Sequence, residues 1–404
     1  MNASRSLRQT RKELLASMSS EGLRLFFPIA ALHAALWPFL WVFAFHFSLP
    51  LSSTTAAGQW HAQEMIVGSF GAALVGFLTS ALPEWTDTAR LRGKVLFWLA
   101  GLWCLGRISG IAGIETLTLP GAAADQAWLL FLVGYTIFLS WRRRTTSLFG
   151  FIVFLCILAG SAAALRVSMA SGDYDAGEKA IRIAAFSFLG LLGLALARIT
   201  VPVTNLLLDS TELTSPYRPH PGRINLAPGL VALLLFAEYF DASEPVRGFL
   251  MLATGGAFLD RVAEGFIGRR TFRPEIFCLT LSSGLSGAGL VIGGLSLVGL
   301  SFSFIGALHL MLMGGLGIGV LAVLSIAGLL HTGQPLEFPR GARIALAGTV
   351  LAVCWRVVPE VLPSILLPGG HGLTAIFWAS SLLLWLISYL PLLWSVETLD
   401  TESC

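Results

Sequence analysis

Residues 303–330, SFIGALHLMLMGGLGIGVLAVLSIAGLL, decide the fold class because they form 28 consecutive positions without a charged side chain. A helix needs about 20 apolar residues to cross the hydrocarbon layer of a bilayer. The run is continuously apolar rather than alternating, which does not favour a membrane β-strand. Backbone in lipid must satisfy its hydrogen bonds inside a helix or a closed barrel. The stretch therefore predicts a transmembrane helix.

Similar apolar runs extend over the rest of the 404-residue chain. Hydrophobic residues make up 55% of it and charged residues 12%, about half the charged share of a soluble domain, so lipid must cover most of the surface. We predict an all-α, polytopic transmembrane helix bundle of about 12 helices, of which the seventh and eighth are the shortest. The predicted spans are Leu23–Phe47, Ala62–Pro83, Lys94–Ile114, Ala122–Trp141, Ser147–Met169, Ala180–Val201, Ile224–Phe240, Val246–Arg261, Glu275–Leu300, Ser303–Leu330, Ala342–Leu366 and Gly372–Trp394.

Lys and Arg gather at every second connector. Residues 90–94 and 142–144 carry three each, whereas residues 48–61 and 115–121 carry none. Positive charge stays on the cytoplasmic side of a membrane protein. We therefore expect both termini to be cytoplasmic, which requires an even number of spans.

The chain has no long hydrophilic region that could form a soluble domain, so residues 1–404 are interpreted as one integral membrane domain. Residues 1–22 form a cytoplasmic N-terminal segment in this interpretation. Residues 209–223, which contain three prolines, form a cytoplasmic loop between two halves of six helices each.

Charge and cysteine content exclude several classes of function. The net charge of +3 follows the membrane topology rather than forming a basic patch, so nucleic-acid binding is not predicted. The five cysteines show no CxxC spacing, and most lie inside predicted spans. We therefore expect buried small hydrophobic residues rather than a disulfide framework or a zinc site.

Glycine is unusually frequent in the ninth and tenth spans. Small residues let helix backbones approach closely in lipid. These two spans are therefore expected to pack at the centre of the bundle, although glycine is also common in membrane helices in general.

Polar side chains deep in spans are the candidates for chemistry, because such residues are usually functional. His61 and Glu64 share a helix face at the start of the second span, and His309 lies about two turns inside the tenth. Arg107 and Arg356 lie deep in spans that begin on the cytoplasmic side, so they reach the same outer half. We predict an outer-half cluster of these five residues, with arginine pairing to carboxylates. Separate structural ion pairs that orient the helices are the alternative.

His331 lies 22 residues after His309, roughly 33 Å along one helix, so the two imidazoles cannot bind one metal. The following sequence, Thr332-Gly333-Gln334-Pro335, is typical of a helix end. The side chain of His331 either satisfies the last helix carbonyls or has a functional role.

These residues belong to segments that resemble the NnrS family over nearly the whole chain. NnrS proteins are polytopic proteins of the bacterial inner membrane, described as binding haem and copper and linked to nitric oxide and nitrosative stress during denitrification. The matching segments are Trp60–Met65, Thr79–Trp85, Gly106-Arg107, Arg198–Asn205, Ala307–His309 and His331–Leu336.

The resemblance implies haem and copper as cofactors and nitric oxide or a related small molecule as a partner, besides the lipid bilayer. It implies His61, His309 and His331 as metal ligands. Carried over by position, the matching residues are His61, Glu64, Arg107, Arg198, Asn205, His309 and His331, and the predicted cofactor-binding set is His61, His309, Glu64, Arg107 and Arg356.

Two positions depart from the family pattern. The family usually reads Trp-His-Ala-His-Glu-Met at the second span, where this chain has Gln63 in place of the second histidine. The family's His-Leu-Gly-Tyr motif corresponds here to Thr280-Leu281-Ser282-Ser283. Glutamine and threonine are poor substitutes for imidazole at iron or copper, so the resemblance implies a reduced set of ligands.

Three functions follow as hypotheses. The first is a haem or copper membrane protein of the NnrS type. The second is a secondary transporter, favoured by twelve spans and intramembrane Arg and Glu. The third is a maturation or assembly factor without catalytic activity. Whether the protein is an enzyme stays open, because the sequence reveals no route for electron entry.

Overall fold

The computed structural model describes residues 10–43, 51, 53–211 and 213–399. These residues form helices and connectors, with no β-strand among them. The helices are α1 Arg11–Met18, α2 Gly22–Phe43, α3 Ala57–Trp85, α4 Lys94–Ala112, α5 Thr118–Arg142, α6 Phe149–Ser171, α7 Tyr174–Leu208, α8 Arg223–Tyr239, α9 Glu244–Asp260, α10 Pro274–Leu297, α11 Phe304–Leu330, α12 Arg340–Val361 and α13 Gly370–Leu393.

Ten of these helices are long and apolar enough to cross a membrane, and the polytopic all-α class is confirmed. Helices α8 and α9, which correspond to the predicted seventh and eighth spans, have 17 residues each and are not among the ten. At 1.5 Å per residue each is about 26 Å long, slightly short of a hydrocarbon layer of about 30 Å.

The helix ends depart from the predicted spans where local chemistry overrides hydropathy. Helix α7 begins earlier than expected because Asp173 caps it, accepting a hydrogen bond from the backbone of Ala176 at 3.0 Å. Helix α12 ends at Val361, and the predicted continuation to Leu366 is wrong. Pro363 disfavours helical geometry at the residue before it. The predicted end of the first span at Phe47 lies outside the described residues.

Two helices contain a π-helical segment, Glu64–Phe70 in α3 and Leu310–Gly317 in α11. Such segments are rare and are frequent at functional sites. Both helices are among the most buried of the bundle, with 83% and 78% of the residues in their apolar stretches buried. The central position expected for the tenth span is confirmed, whereas α10 is intermediate at 56%.

Helix α10 packs through glycines against both of its neighbours. A Cβ placed on Gly287 would lie 2.7 Å from the carbonyl oxygen of Gly255 in α9. A Cβ on Gly315 in α11 would lie 2.9 Å from the backbone nitrogen of Ser286. Contacts this short mean that the backbones touch, as expected for helices that associate in lipid. The glycines of α9 were not part of the predicted core.

The four described cysteines are free thiols. Cys278 is buried, but Cys104, Cys156 and Cys354 are exposed on the surface of the isolated bundle. The expectation of buried small hydrophobic residues is therefore wrong for these three, because apolar side chains in a membrane protein also face lipid.

The connectors rich in Lys and Arg meet at one end of the bundle, which we call the basic end. Here Arg143 pairs with Asp87 at 3.4 Å, and Arg223 pairs with Asp260 at 2.7 Å. The connectors of the opposite end include residues 299–303 and 362–369. Sequential helices therefore run antiparallel between the two ends.

Candidate functional site

Glu64 is the first residue of the π-helical segment of α3, and its carboxylate is fully buried. Its Oε2 lies 3.2 Å from Nε of Arg107 in α4 and 3.3 Å from Nε2 of His33 in α2. An isolated buried charge is costly unless it is paired. The position of Glu64 therefore depends on both neighbouring helices.

Asp125 in α5 is the second buried carboxylate. Its Oδ2 lies 2.7 Å from Nη2 of Arg107 and 2.5 Å from Nη2 of Arg166 in α6. Its Oδ1 accepts a hydrogen bond from Nε1 of Trp128 at 3.2 Å, and Gln63 donates to Oδ2 at 3.5 Å. The two carboxylates balance the two guanidinium groups, and we call His33, Glu64, Arg107, Asp125 and Arg166 the buried charge network.

Small residues make room for this network. A Cβ on Gly68 would lie 2.6 Å from Nη1 of Arg107 and 2.8 Å from Cε1 of His33. A side chain at Gly106 would collide with the carboxylate of Asp125. The Gly106-Arg107 pair therefore places an arginine in the interior and leaves space for its partner.

Aromatic rings connect the buried charge network to His61. The ring of His33 stacks on Trp37 with a centroid distance of 6.1 Å, and Trp37 stacks on Trp41 at 6.3 Å. Trp41 in turn stacks on His61 at 5.1 Å. Because His33, Trp37 and Trp41 are four residues apart on α2, their rings lie on one face of that helix.

His61 and His309 form a second group with Arg356. Nδ1 of His309 lies 2.8 Å from the carbonyl oxygen of Ile305, which accepts only from a protonated nitrogen. The lone pair of a neutral His309 is therefore on Nε2. His61 is close enough to His309 and Arg356 to interact with them electrostatically, and its buried Nδ1 has no hydrogen-bond partner within the described part of the chain.

The predicted cluster of five thus separates into two groups. Glu64 and Arg107 contact each other as expected, but the carboxylate that pairs with Arg356 is Glu360, at 2.7 Å from Nη1. Glu360 lies one helical turn after Arg356, and side chains four residues apart on a helix are neighbours. The expectation that Arg356 would serve as a partner of Glu64 is not supported by these contacts.

His331 lies at the basic end, far from His309, as the spacing predicted. Its Nδ1 is 2.8 Å from Oε1 of Glu21, and its Nε2 is 3.6 Å from Oε2 of Glu84. Its side chain therefore contacts carboxylates rather than the last carbonyls of α11. Arg90 also approaches Glu21, at 3.4 Å.

Glu21 lies just before the first residue of α2. Burial raises the pKa of its carboxyl group, but the contact with His331 and the nearby arginines lower the pKa more, so that it lies below its ordinary value. The ionised form therefore stabilises the fold. This contribution is lost as the pH falls through the pKa of the folded state.

In a comparison with protein families, residues 17–396 match the family described as NnrS protein. The chain belongs to the NnrS family. The match covers nearly the whole chain and both groups of polar residues. No curated protein and no solved structure matches the sequence.

Two further residues of the NnrS segments have structural contacts. The guanidinium of Arg198 lies over the ring of Trp85 at 4.5 Å. Asn205 donates to the carbonyl oxygen of Tyr217 at 3.1 Å and accepts from its backbone nitrogen at 2.8 Å. These contacts fix the end of α7 and the loop that follows it.

The two departures from the NnrS pattern lie in different surroundings. Gln63 is fully buried beside Asp125, in the buried charge network. Thr280 donates a hydrogen bond to the carbonyl oxygen of Ile276 at 3.0 Å. The side chain of Gln63 therefore contacts the buried charge network, and that of Thr280 contacts its own helix.

Sequence reasoning missed His33, Asp125 and Arg166 as members of the site. Each lies inside a predicted span, and an ionisable residue within a span is itself a signal of function. Asp125 and Arg166 are as clearly intramembrane in the sequence as Arg107. No sequence pattern, however, indicates that the three helices bring these side chains together.

The observation that fits a cofactor held by imidazoles is the buried Nδ1 of His61, which has no hydrogen-bond partner among the described residues. Nowhere in the described ranges do three or more His, Cys, Asp or Glu side chains form a group that could hold a metal ion. Two cavities, of about 50 and 20 Å³, are lined almost entirely by apolar residues, with Phe70 and Val320 in both linings. His61 and His309 offer the free ring nitrogens, and Arg356 offers a cation beside them.

Proposed function

We propose that this protein is an integral membrane protein of the bacterial inner membrane that takes part in the response to nitric oxide or nitrosative stress. In this proposal it binds haem or copper through His61 and His309. The supporting observation is the hydrogen bond from His309 to Ile305, because histidine ligands usually donate their other ring N–H to a carbonyl or carboxylate. Membership of the NnrS family agrees with this assignment.

A haem iron or a copper ion would supply a coordination position for a small diatomic ligand. The residues of the chain have separate parts in this scheme. His309 presents Nε2, His61 presents an imidazole held against Trp41, and Arg356 offers a charge that suits an anionic group such as a propionate. Glu360 and Ser303, which contact each other at 3.1 Å, orient Arg356.

Absorption spectroscopy combined with metal analysis tests this proposal. We expect detergent-purified protein from haem-replete, copper-supplemented cells to contain haem or copper and, if haem is present, to show a Soret band. His61→Ala and His309→Ala should each abolish most of the binding. His220→Ala is the matched control, because His220 is exposed in the loop before α8. A colourless, metal-free wild-type preparation would refute the proposal.

We further propose that twelve helices span the membrane and that both termini and residues 209–223 are cytoplasmic. The distribution of Lys and Arg supports this orientation. The connector between α8 and α9, which contains Ser243, distinguishes twelve spans from ten. It lies on the outer side only if both helices cross the membrane.

Cysteine accessibility tests the topology in a background without native cysteines. Ser243→Cys should react with a membrane-impermeant thiol reagent added to intact spheroplasts. Ser215→Cys, in the exposed loop after α7, should react only after lysis. Equal labelling of both positions, or protection of Ser243→Cys until lysis, would contradict twelve spans.

A secondary transporter is the second candidate, and the buried charge network favours it because intramembrane ionisable residues often mark ion or substrate pathways. Uptake of a small solute into proteoliposomes, driven by a proton or sodium gradient and lost in Arg107→Gln, would support this alternative.

A further inference from the structure

The imidazole of His33 is held between a hydroxyl group and a carboxylate. Its Nδ1 lies 2.8 Å from Oγ of Ser69, and its Nε2 lies 3.3 Å from Oε2 of Glu64. The same Oγ is 3.5 Å from the main-chain carbonyl oxygen of Glu64. The ring is 8% exposed and Glu64 is fully buried. Both nitrogens of His33 therefore face polar groups rather than bulk water.

This arrangement allows two proton distributions without movement of a heavy atom. In the first, Ser69 donates to Nδ1 of a neutral His33, and the proton on Nε2 faces Glu64. In the second, Nδ1 also carries a proton and donates to Ser69, whose hydroxyl group turns toward the carbonyl oxygen of Glu64. A hydroxyl group can both donate and accept, so each distribution satisfies Nδ1.

The π-helical segment makes the second distribution possible. Ser69 follows Glu64 by five residues, the spacing at which a π-helix closes its hydrogen bonds. In an ordinary α-helix the hydroxyl group of a serine reaches the carbonyl oxygen three or four residues earlier. The segment thus brings the carboxylate, the carbonyl oxygen and the hydroxyl group of one helix to the same imidazole.

The charges around His33 are balanced before it takes up a proton. Glu64 faces it from α3 and Arg107 from α4, while Asp125 on α5 and Arg166 on α6 form the next layer. Their two negative and two positive charges cancel. An added proton on His33 is opposed by burial of the ring and by Arg107, and it is stabilised by direct contact with Glu64, whose Oε2 both residues contact.

We infer that His33, Glu64 and Ser69 form a binding site for one proton in the interior of the bundle. The proton binds at Nδ1 of His33, converting an imidazole into an imidazolium, and the Ser69 hydroxyl group turns to accept its hydrogen bond. The site uses neither His61 nor His309 and does not depend on the proposed cofactor.

Nitrogen NMR of protein labelled with ¹⁵N-histidine tests this inference, because neutral and doubly protonated imidazoles have different nitrogen shifts. We expect one buried histidine, absent from the spectrum of His33→Gln, to change from neutral to doubly protonated as the pH falls below about 6.5, the ordinary midpoint of histidine. In Glu64→Gln the same histidine should stay neutral, because the amide cannot balance its charge. Glu337→Gln, at an exposed carboxylate, should leave the titration unchanged.

Ser69→Ala provides a test that keeps every charge. A charged donor makes a stronger hydrogen bond than a neutral one, so the loss of the hydroxyl group should weaken proton binding about tenfold. Thermal unfolding of each variant establishes that the bundle is intact. A folded wild-type protein in which His33 keeps one protonation state, or a titration that Glu64→Gln leaves unchanged, would overturn the inference.

Discussion

Asp125→Ala should lower the free energy of unfolding by about 3–5 kcal/mol, the usual cost of removing one partner from a buried ion pair. Asp125 is fully buried and is the shared partner of two guanidinium groups, at 2.7 Å from Arg107 and 2.5 Å from Arg166. Without it Arg166 loses its carboxylate, and Arg107 keeps only Glu64. Trp128 also loses its acceptor. Unfolding by SDS in mixed micelles measures the difference.

Glu337→Ala is the control for this experiment. Glu337 also pairs with an arginine, Arg343 at 3.1 Å, but both side chains are largely exposed. An exposed pair contributes about 0–1 kcal/mol, so its removal should change the free energy of unfolding very little. If the two variants lost the same stability, the buried charge network would not contribute to the fold as its burial indicates.

Gly287→Ala should destabilise the bundle by about 1–3 kcal/mol, the range for adding a methyl group to a packed interior. The new Cβ would lie 2.7 Å from the carbonyl oxygen of Gly255 and 3.0 Å from the backbone nitrogen of Leu259. Both atoms belong to the main chain of α9, so a change of side-chain rotamer cannot remove these two close contacts. Helices α9 and α10 must move apart.

Gly284→Ala tests the same substitution one turn earlier in α10. Its Cβ would meet only Cγ2 of Val262, at 3.5 Å, an ordinary contact. We expect a change of less than about 1 kcal/mol, within the difference in helix preference between glycine and alanine. Equal losses at the two positions would show that helix preference, rather than the approach to α9, determines the effect.

Hydropathy and the distribution of positive charge predict the helices and their antiparallel order because both follow directly from the properties of the bilayer. They do not predict the rotation of each helix about its axis. His61 and Glu64 should share a face by α-helical spacing, yet Glu64 contacts His33 and Arg107 while His61 lies near His309. The π-helical segment that begins at Glu64 then changes the register of the residues that follow it, including Ser69.

The separation of the predicted cluster has a similar cause. A deep arginine in the sequence indicates that a partner exists but not which helix supplies it. Arg107 pairs with Asp125 on the next helix, whereas Arg356 pairs with Glu360 on the same helix. Only the three-dimensional neighbours distinguish these cases. The depth of His331 at the far end of α11 could be predicted, because it depends on the rise per residue alone.

The first and last membrane helices that the structure describes, α2 and α13, are in contact. Nε1 of Trp378 in α13 donates to the carbonyl oxygen of Ala34 in α2 at 2.9 Å, across a separation of 344 residues. The buried guanidinium of Arg24 donates to the carbonyl oxygen of Leu393 at 3.0 Å. A ribosome therefore delivers the first membrane helix long before its last neighbour exists. Until α13 is inserted, the flank of α2 that it covers faces lipid, so insertion of α13 is the event that closes the assembly.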